Sequence, residues 1–210
     1  MEKVISQEAN VPLLSGLVLA GGKSLRMGHA KDKINWHGKE QRYFMADLLK
    51  SYCNEVYISC RADQATEIVA AGYTPLPDTF LNMGPLGGIL SALRFQRKAA
   101  WLVVACDLPL VNDSTLQQLV QNRDIEKIAT TFKSPFDSFP EPLITIWEPR
   151  SYPVLLQYLG MDITCPRKVL INGDVNILNP AREESLMNVN SPEDAERATS
   201  ILQAAKDHQH

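Results

Sequence analysis

Two adjacent glycines and three cations crowd one short stretch of this chain. In LAGGKSLRMGHAK, Leu19 to Lys31, the pair Gly21–Gly22 is followed by Lys23, Arg26 and Lys31. A glycine pair strips a turn of side chains and exposes backbone N–H groups at close range, where phosphates or base edges can be taken up. Cations gathered around such a turn suit a polyanion such as a triphosphate, although the loop alone also allows a hairpin with a solvated basic rim. A P-loop is excluded, because its first glycine would fall on Leu17, inside an apolar run. The dinucleotide fingerprint G-x-G-x-x-G is also absent, since the next glycine after the pair is Gly28.

A second centre of chemistry is Asp107, which follows WLVVA and Cys106. An ionised carboxylate at a strand end is costly to desolvate unless a cation or hydrogen bonds compensate. A helix cap is the structural alternative, a job that Asn112 and Asp113 can also do. Asp78 precedes Gly84–Pro85–Leu86–Gly87–Gly88, whose glycines let the chain pass close to a ligand or let two elements pack tightly. As a loop acid Asp78 also suits an ordinary turn. Asn188–Val189–Asn190 leads into Ser191–Pro192–Glu193–Asp194, the signature of a capped helix start. Nucleophilic catalysis lacks support: His29 and His37 lie in the basic loop and His208 and His210 in the tail. Cys106 then reads as a small buried residue.

The elements that must position these residues alternate. Gly16–Ala20 is a short continuous apolar run of the kind found in buried parallel strands. Gln41–Cys53 has helical spacing, Val56–Ser59 is strand-like, and a helix opens at the Gly84–Gly88 segment and runs through Leu93. Trp101–Ala105 is the clearest central strand, followed by helix-like Thr115–Val120 and strand-like Ile128–Phe132 and Leu143–Trp147. Ser191 caps a terminal helix running to Ala205. The alternation predicts a mainly parallel sheet with helices on both faces and ligands at the carboxyl ends of its strands. Residues 1–13 read as a loose leader and residues 14–205 as one domain.

Bulk properties narrow the function. The 210 residues are 45% apolar and 21% charged, as expected for an ordinary globular protein. A formal net charge of −3 without a basic stripe argues against nucleic-acid binding. Cys53, Cys60, Cys106 and Cys165 have no close pairing, which suits reduced and largely buried thiols. The first residues lack a signal pattern and no apolar run is long enough to span a bilayer, so a cytoplasmic location is expected, with no membrane partner.

LAGGKSLRMGHAK is similar to the L-A-G-G-x-S-x-R-M-G-x-x-K signature of nucleotidyltransferases with a Rossmann-like fold. Within them the chain resembles the molybdenum cofactor guanylyltransferase family, through DTFLNMGPLGGILSAL, CDLP, EPL and NVNSPED as well. The resemblance implies an α/β, single-domain, three-layer sandwich with a mostly parallel central sheet. It implies that Leu19, Ala20, Gly21 and Gly22 wrap the nucleotide, that Arg26 and Lys31 hold the triphosphate during catalysis, and that Asp78 contacts the nucleotide. By the same resemblance Asp107 is a nucleotide-binding and catalytic Mg²⁺ ligand, Asn190 approaches the metal or the acceptor, and Pro142 and Leu143 line the acceptor side. The implied reaction moves GMP from GTP to molybdopterin and releases pyrophosphate, with transient contact to molybdoenzymes or other cofactor-assembly proteins. Two positions depart from the pattern: Ala30 stands where relatives often carry an aspartate, and Cys60–Arg61 where they have an asparagine. Cys60 cannot reproduce an amide's donor and acceptor pair. A related cytidylyl- or sugar-phosphate nucleotidylyltransferase, or a non-catalytic nucleotide-binding module, are the other readings.

Overall fold

A computed structural model describes residues 11–20 and 33–207, with side chains through residue 204. The expected leader therefore lies almost wholly outside the described residues, as do Gly21, Gly22, Arg26, Ala30 and Lys31. The chain order is β1 (Leu14–Leu19), α1 (Gln41–Leu49), β2 (Val56–Cys60), α2 (Ala65–Ala70), β3 (Pro75–Pro77), α3 (Pro85–Phe95), β4 (Ala100–Ala105) and α4 (Asp113–Gln121). It continues with β5 (Ala129–Lys133), β6 (Pro140–Trp147), α5 (Ser151–Gly160), α6 (Pro166–Asn172), β7 (Val175–Leu178) and α7 (Pro192–Asp207).

The strands form one seven-stranded sheet in the order β3-β2-β1-β4-β6-β5-β7. Every neighbouring pair is parallel except those that include β6, which runs antiparallel to β4 and β5. The reversal has a simple cause. Only residues 134–139 separate β5 from β6, too few for the crossover that a parallel return needs.

β4 is buried along its whole length, AWLVVA, because helices cover both faces of the sheet. Successive residues of β1 serve opposite faces: Val18 packs in the cluster that holds Met45 and Leu49 of α1, and Leu17 in the cluster that holds Leu86, Ile89 and Leu90 of α3. Gly16 lets α1 sit down on β1, since a Cβ there would lie 3.2 Å from Cys53 Sγ, Leu49 Cδ1 and Val56 Cγ2. The mainly parallel, three-layer arrangement matches the expectation from alternation.

Local signals failed where sustained periodicity is missing. α2, β3, α5, α6 and β7 were not anticipated, and α1 ends at Leu49 rather than at Cys53. Among the cysteines, Cys60 and Cys106 are buried and Cys53 is half-buried, but Cys165 at the start of α6 is exposed.

Candidate active site at the carboxyl edge of the sheet

The strand ends named by sequence meet at one edge. Leu19 pairs with Ser59 of β2 and with Ala105 of β4. Beyond them the Ala20 N–H donates to the Ser59 carbonyl (3.3 Å) and the Cys106 N–H to the Leu19 carbonyl (3.3 Å). Leu19, Ala20, Ser59, Cys60, Cys106 and Asp107 therefore line up across the middle of the sheet. β1 lies between β2 and β4, where the strand order reverses, which is the usual ligand crevice of such sheets.

On the β2 side the edge is shaped by small groups. The Ser59 hydroxyl donates to Asp78 Oδ1 at 2.7 Å, and the Asp78 N–H donates to the Cys60 carbonyl at 2.9 Å. Asp78 is thus held at the crevice rather than in a free turn. Burial pushes its carboxyl above the ordinary aspartate range, partly offset by the Ser59 hydroxyl. Ser91 pins the following loop to α3: its hydroxyl accepts from the Thr79 N–H (2.8 Å) and donates to the Gly87 carbonyl (2.7 Å). A Cβ on Gly87 would meet the Phe80 carbonyl at 2.3 Å, and one on Gly88 would meet Leu19 Cδ2 and Ser59 Oγ at 2.7 Å. Both glycines are required by close packing. Cys60 is buried, and burial with the nearby Asp78 and Asp63 pushes its thiol up to about 11, so it is an uncharged, apolar wall.

On the β4 side the edge is built from oxygens. Asp107 does not cap α4; Asn112 does, its side chain accepting from the Thr115 N–H at 3.1 Å. The Asp107 carbonyl accepts from the Val189 N–H at 2.8 Å, which brings the Asn188–Asn190 segment to Asp107 from more than eighty residues away. Ser191 caps α7 as expected, in a reciprocal pair: Asp194 N–H donates to Ser191 Oγ (3.1 Å), and the Asn190 and Ser191 N–H groups donate to Asp194 Oδ2 (3.0 Å each). Asn190 is exposed, whereas Asn188 is half-buried and its Oδ1 is sequestered without a hydrogen-bond partner among the described residues.

Glu141 was not singled out from the sequence, where only Pro142 and Leu143 of EPL drew notice. It is 1% exposed, and its carbonyl lies 2.6 Å from both the Thr131 and Thr145 hydroxyls. Arg167 of α6 donates to Glu141 Oε1 at 2.6 Å and also to Asp137. Burial raises the Glu141 carboxyl above its ordinary range; Arg167 and Ser134 oppose this, and Asp137 and Asp107 add to it. A charged residue directly before a proline inside a strand is the signal that was available.

His37 reaches the same corner, donating from Nε2 to the Pro109 carbonyl at 2.9 Å while stacking on Phe44 with ring centroids 3.7 Å apart. Lys33 and Lys39, further cations of the basic stretch, form exposed pairs with Glu67 and Asp47 at 2.6 Å. They belong to the solvated face.

The oxygen-rich corner fits a hard divalent cation, which takes carboxylate and carbonyl oxygens and is completed by substrate phosphates. Asp107 and the donor-less Asn188 Oδ1 are oxygens of the kind that could hold such a cation, beside the glycine-shaped crevice. Comparison with known proteins decides the family: the MobA-like NTP transferase domain matches residues 16–177. The chain belongs to that family. It is a nucleotidyltransferase whose homologues act in molybdenum cofactor biosynthesis. A probable molybdenum cofactor guanylyltransferase from Carboxydothermus hydrogenoformans is 31% identical over 90% of this chain and 96% of its own length. A molybdenum cofactor biosynthesis bifunctional protein from Synechocystis is 34% identical over 86% of this chain, which spans only 52% of that relative. In fold the chain is similar to the molybdopterin-guanine dinucleotide biosynthesis protein A from Archaeoglobus fulgidus, with a TM-score of 0.75 and 22% identity over 90% of this chain and 99% of the other.

Proposed function

We propose that this MobA-like nucleotidyltransferase transfers GMP from GTP to molybdopterin in the cytoplasm, with Mg²⁺, giving the guanine dinucleotide cofactor and pyrophosphate. Residues 14–205 act as the single catalytic unit. The observation that carries this reading is the convergence of Leu19–Ala20, Asp78 and Asp107 on one crevice in a chain similar, over nearly its full length, to named guanylyltransferases.

The terminal phosphate of the acceptor attacks the α-phosphorus of GTP, and the bond to pyrophosphate breaks. A phosphate monoester is already anionic at neutral pH, so the side chains need only position and stabilise charge. Leu19, Ala20, Gly21 and Gly22 bind the nucleotide, with Asp78 at its edge. Arg26 and Lys31 offset the charge that builds as pyrophosphate leaves. Asp107 holds the cation, with the Asn188–Asn190 segment, Asn190 included, at its side; the cation supplies Lewis-acid polarisation of the phosphoryl oxygens. Cys60 in place of an amide leaves base selection to the backbone of the first-strand turn.

Thermal stabilisation by each of the four NTPs with Mg²⁺ tests the reading. A ligand that binds only the folded state at 100 times its Kd adds about 2.7 kcal/mol, so GTP should raise the midpoint most. Equal shifts for all four would overturn guanine selection, and no shift would overturn the nucleotidyl transfer itself.

A further inference from the structure

Two buried glutamates sit at opposite ends of β6, and the fold treats them differently. Glu148, one residue beyond the strand, is fully buried and places both oxygens on Arg123, at 2.6 and 3.0 Å. This is how a purely structural carboxylate is satisfied when buried. Glu141, at the other end, offers Arg167 only Oε1. Its Oε2 is equally inaccessible and makes no hydrogen bond of ordinary geometry among the described residues, although the Ser134 hydroxyl is near enough to favour the charged form.

The Arg167 guanidinium is moreover shared with Asp137. One guanidinium therefore serves two carboxylates, and Asp107 lies near enough to Glu141 to act on it electrostatically. Val104 and Ile144 are the last pair of the antiparallel β4–β6 ladder. Asp107 lies three residues past Val104, and Glu141 three residues before Ile144, so the backbone brings both to the same end. The Glu141 carbonyl is held by two threonine hydroxyls, so the side chain starts from a rigid base. Among the described residues no group of three or more His, Cys, Asp or Glu forms a protein-only metal cage. One or two carboxylates completed by substrate phosphates is the arrangement that suits Mg²⁺ instead.

We propose that Glu141, through Oε2, is a second carboxylate ligand of the divalent cation, sharing it with Asp107. The assignment rests on the nucleotidyltransferase reading and adds a specific residue to it. Arg167 then tunes the site: it holds Glu141 in place while competing with the cation for its charge.

Mn²⁺ serves as the probe, since it accepts the same oxygen ligands. Its binding to the full chain with a non-hydrolysable GTP analogue is followed by the loss of the free-ion EPR signal, alongside a thermal melt. Glu141→Gln, which keeps an oxygen for Arg167, should weaken Mn²⁺ binding about tenfold or more, without weakening the analogue in EDTA. Unchanged Mn²⁺ affinity in Glu141→Gln, with Asp107→Asn abolishing it, overturns the role of Glu141 alone. Absence of Mn²⁺ binding in the unaltered chain overturns both this inference and the proposed function. Should Glu141→Gln not fold, Glu141→Asp carries the test: it keeps the charge for Arg167 but draws the carboxylate back by one methylene, so Mn²⁺ should bind more weakly, and an unchanged affinity overturns the proposal.

Discussion

The two halves of the crevice are built on different principles. The β1–β2–α3 half is defined by missing side chains: Gly87 and Gly88 admit Phe80, Leu19 and Ser59 to contact distance, and the Asp78 carboxylate rests on a serine hydroxyl. The β4–β6 half is defined by charge, with Glu141 and Asp137 on Arg167 and Asp107 near Glu141. The first half therefore resists changes of volume and the second resists changes of charge. Under the proposed function, the first half would shape the nucleotide's place and the acidic half would hold the cation that meets its phosphates.

That contrast can be broken at its charged end first. Asp107→Ala should lower pyrophosphate release by at least ~10²–10³-fold, while the thermal midpoint stays close to that of the unaltered protein. Release at an undiminished rate would remove Asp107 from the chemistry. At the shaped end, Gly87→Ala drives a methyl into the Phe80 backbone carbonyl, and chemical denaturation should show a loss of about 1–3 kcal/mol. Gly88→Ala meets only the ends of two side chains and should cost less stability than Gly87→Ala, while still weakening the nucleotide in a binding titration.

Asp78 sharpens the comparison through pH. Its folded-state pKa is raised by burial, so the protonated form is favoured by folding. That stabilisation is complete below the unfolded pKa and is lost as pH rises through the folded value. Asp78→Asn removes the titration and should gain stability relative to the unaltered chain as pH is raised from about 4 toward 7. A gap between the two melting curves that stays constant over this range would contradict the cause assigned to the shift. The smallest effect belongs outside the crevice: Lys39→Ala breaks an exposed pair with Asp47 and should leave both the melt and pyrophosphate release unchanged.

Much of this was legible beforehand because it is encoded over short distances. Continuous apolar runs marked β1, β2 and β4, the Ser191–Pro192 start marked α7, and Asp107 stood out as an acid at the end of the most apolar strand. α2, β3, α5, α6 and β7 escaped because three to ten residues without sustained periodicity carry little local signal. Glu141 escaped for another reason. A glutamate is informative only when buried, and its burial depends on α6 and the β5–β6 turn, both remote from the Asp107 strand end in sequence.

The sequence by itself determined the alternation of strand and helix, the placement of a cation-rich glycine turn after the first strand and an acid after the fourth, and so the family of chemistry. Those are properties of residue type and short-range spacing, which the chain carries before it folds. Only the tertiary structure decided which oxygens share a corner with Asp107, because the Val189–Asp107 backbone bond and the Glu141–Arg167 pair span gaps that no local periodicity measures. It also decided which of two buried glutamates is satisfied. That depends on how many donors packing brings within reach, and Glu148 received a whole guanidinium face where Glu141 received a share of one.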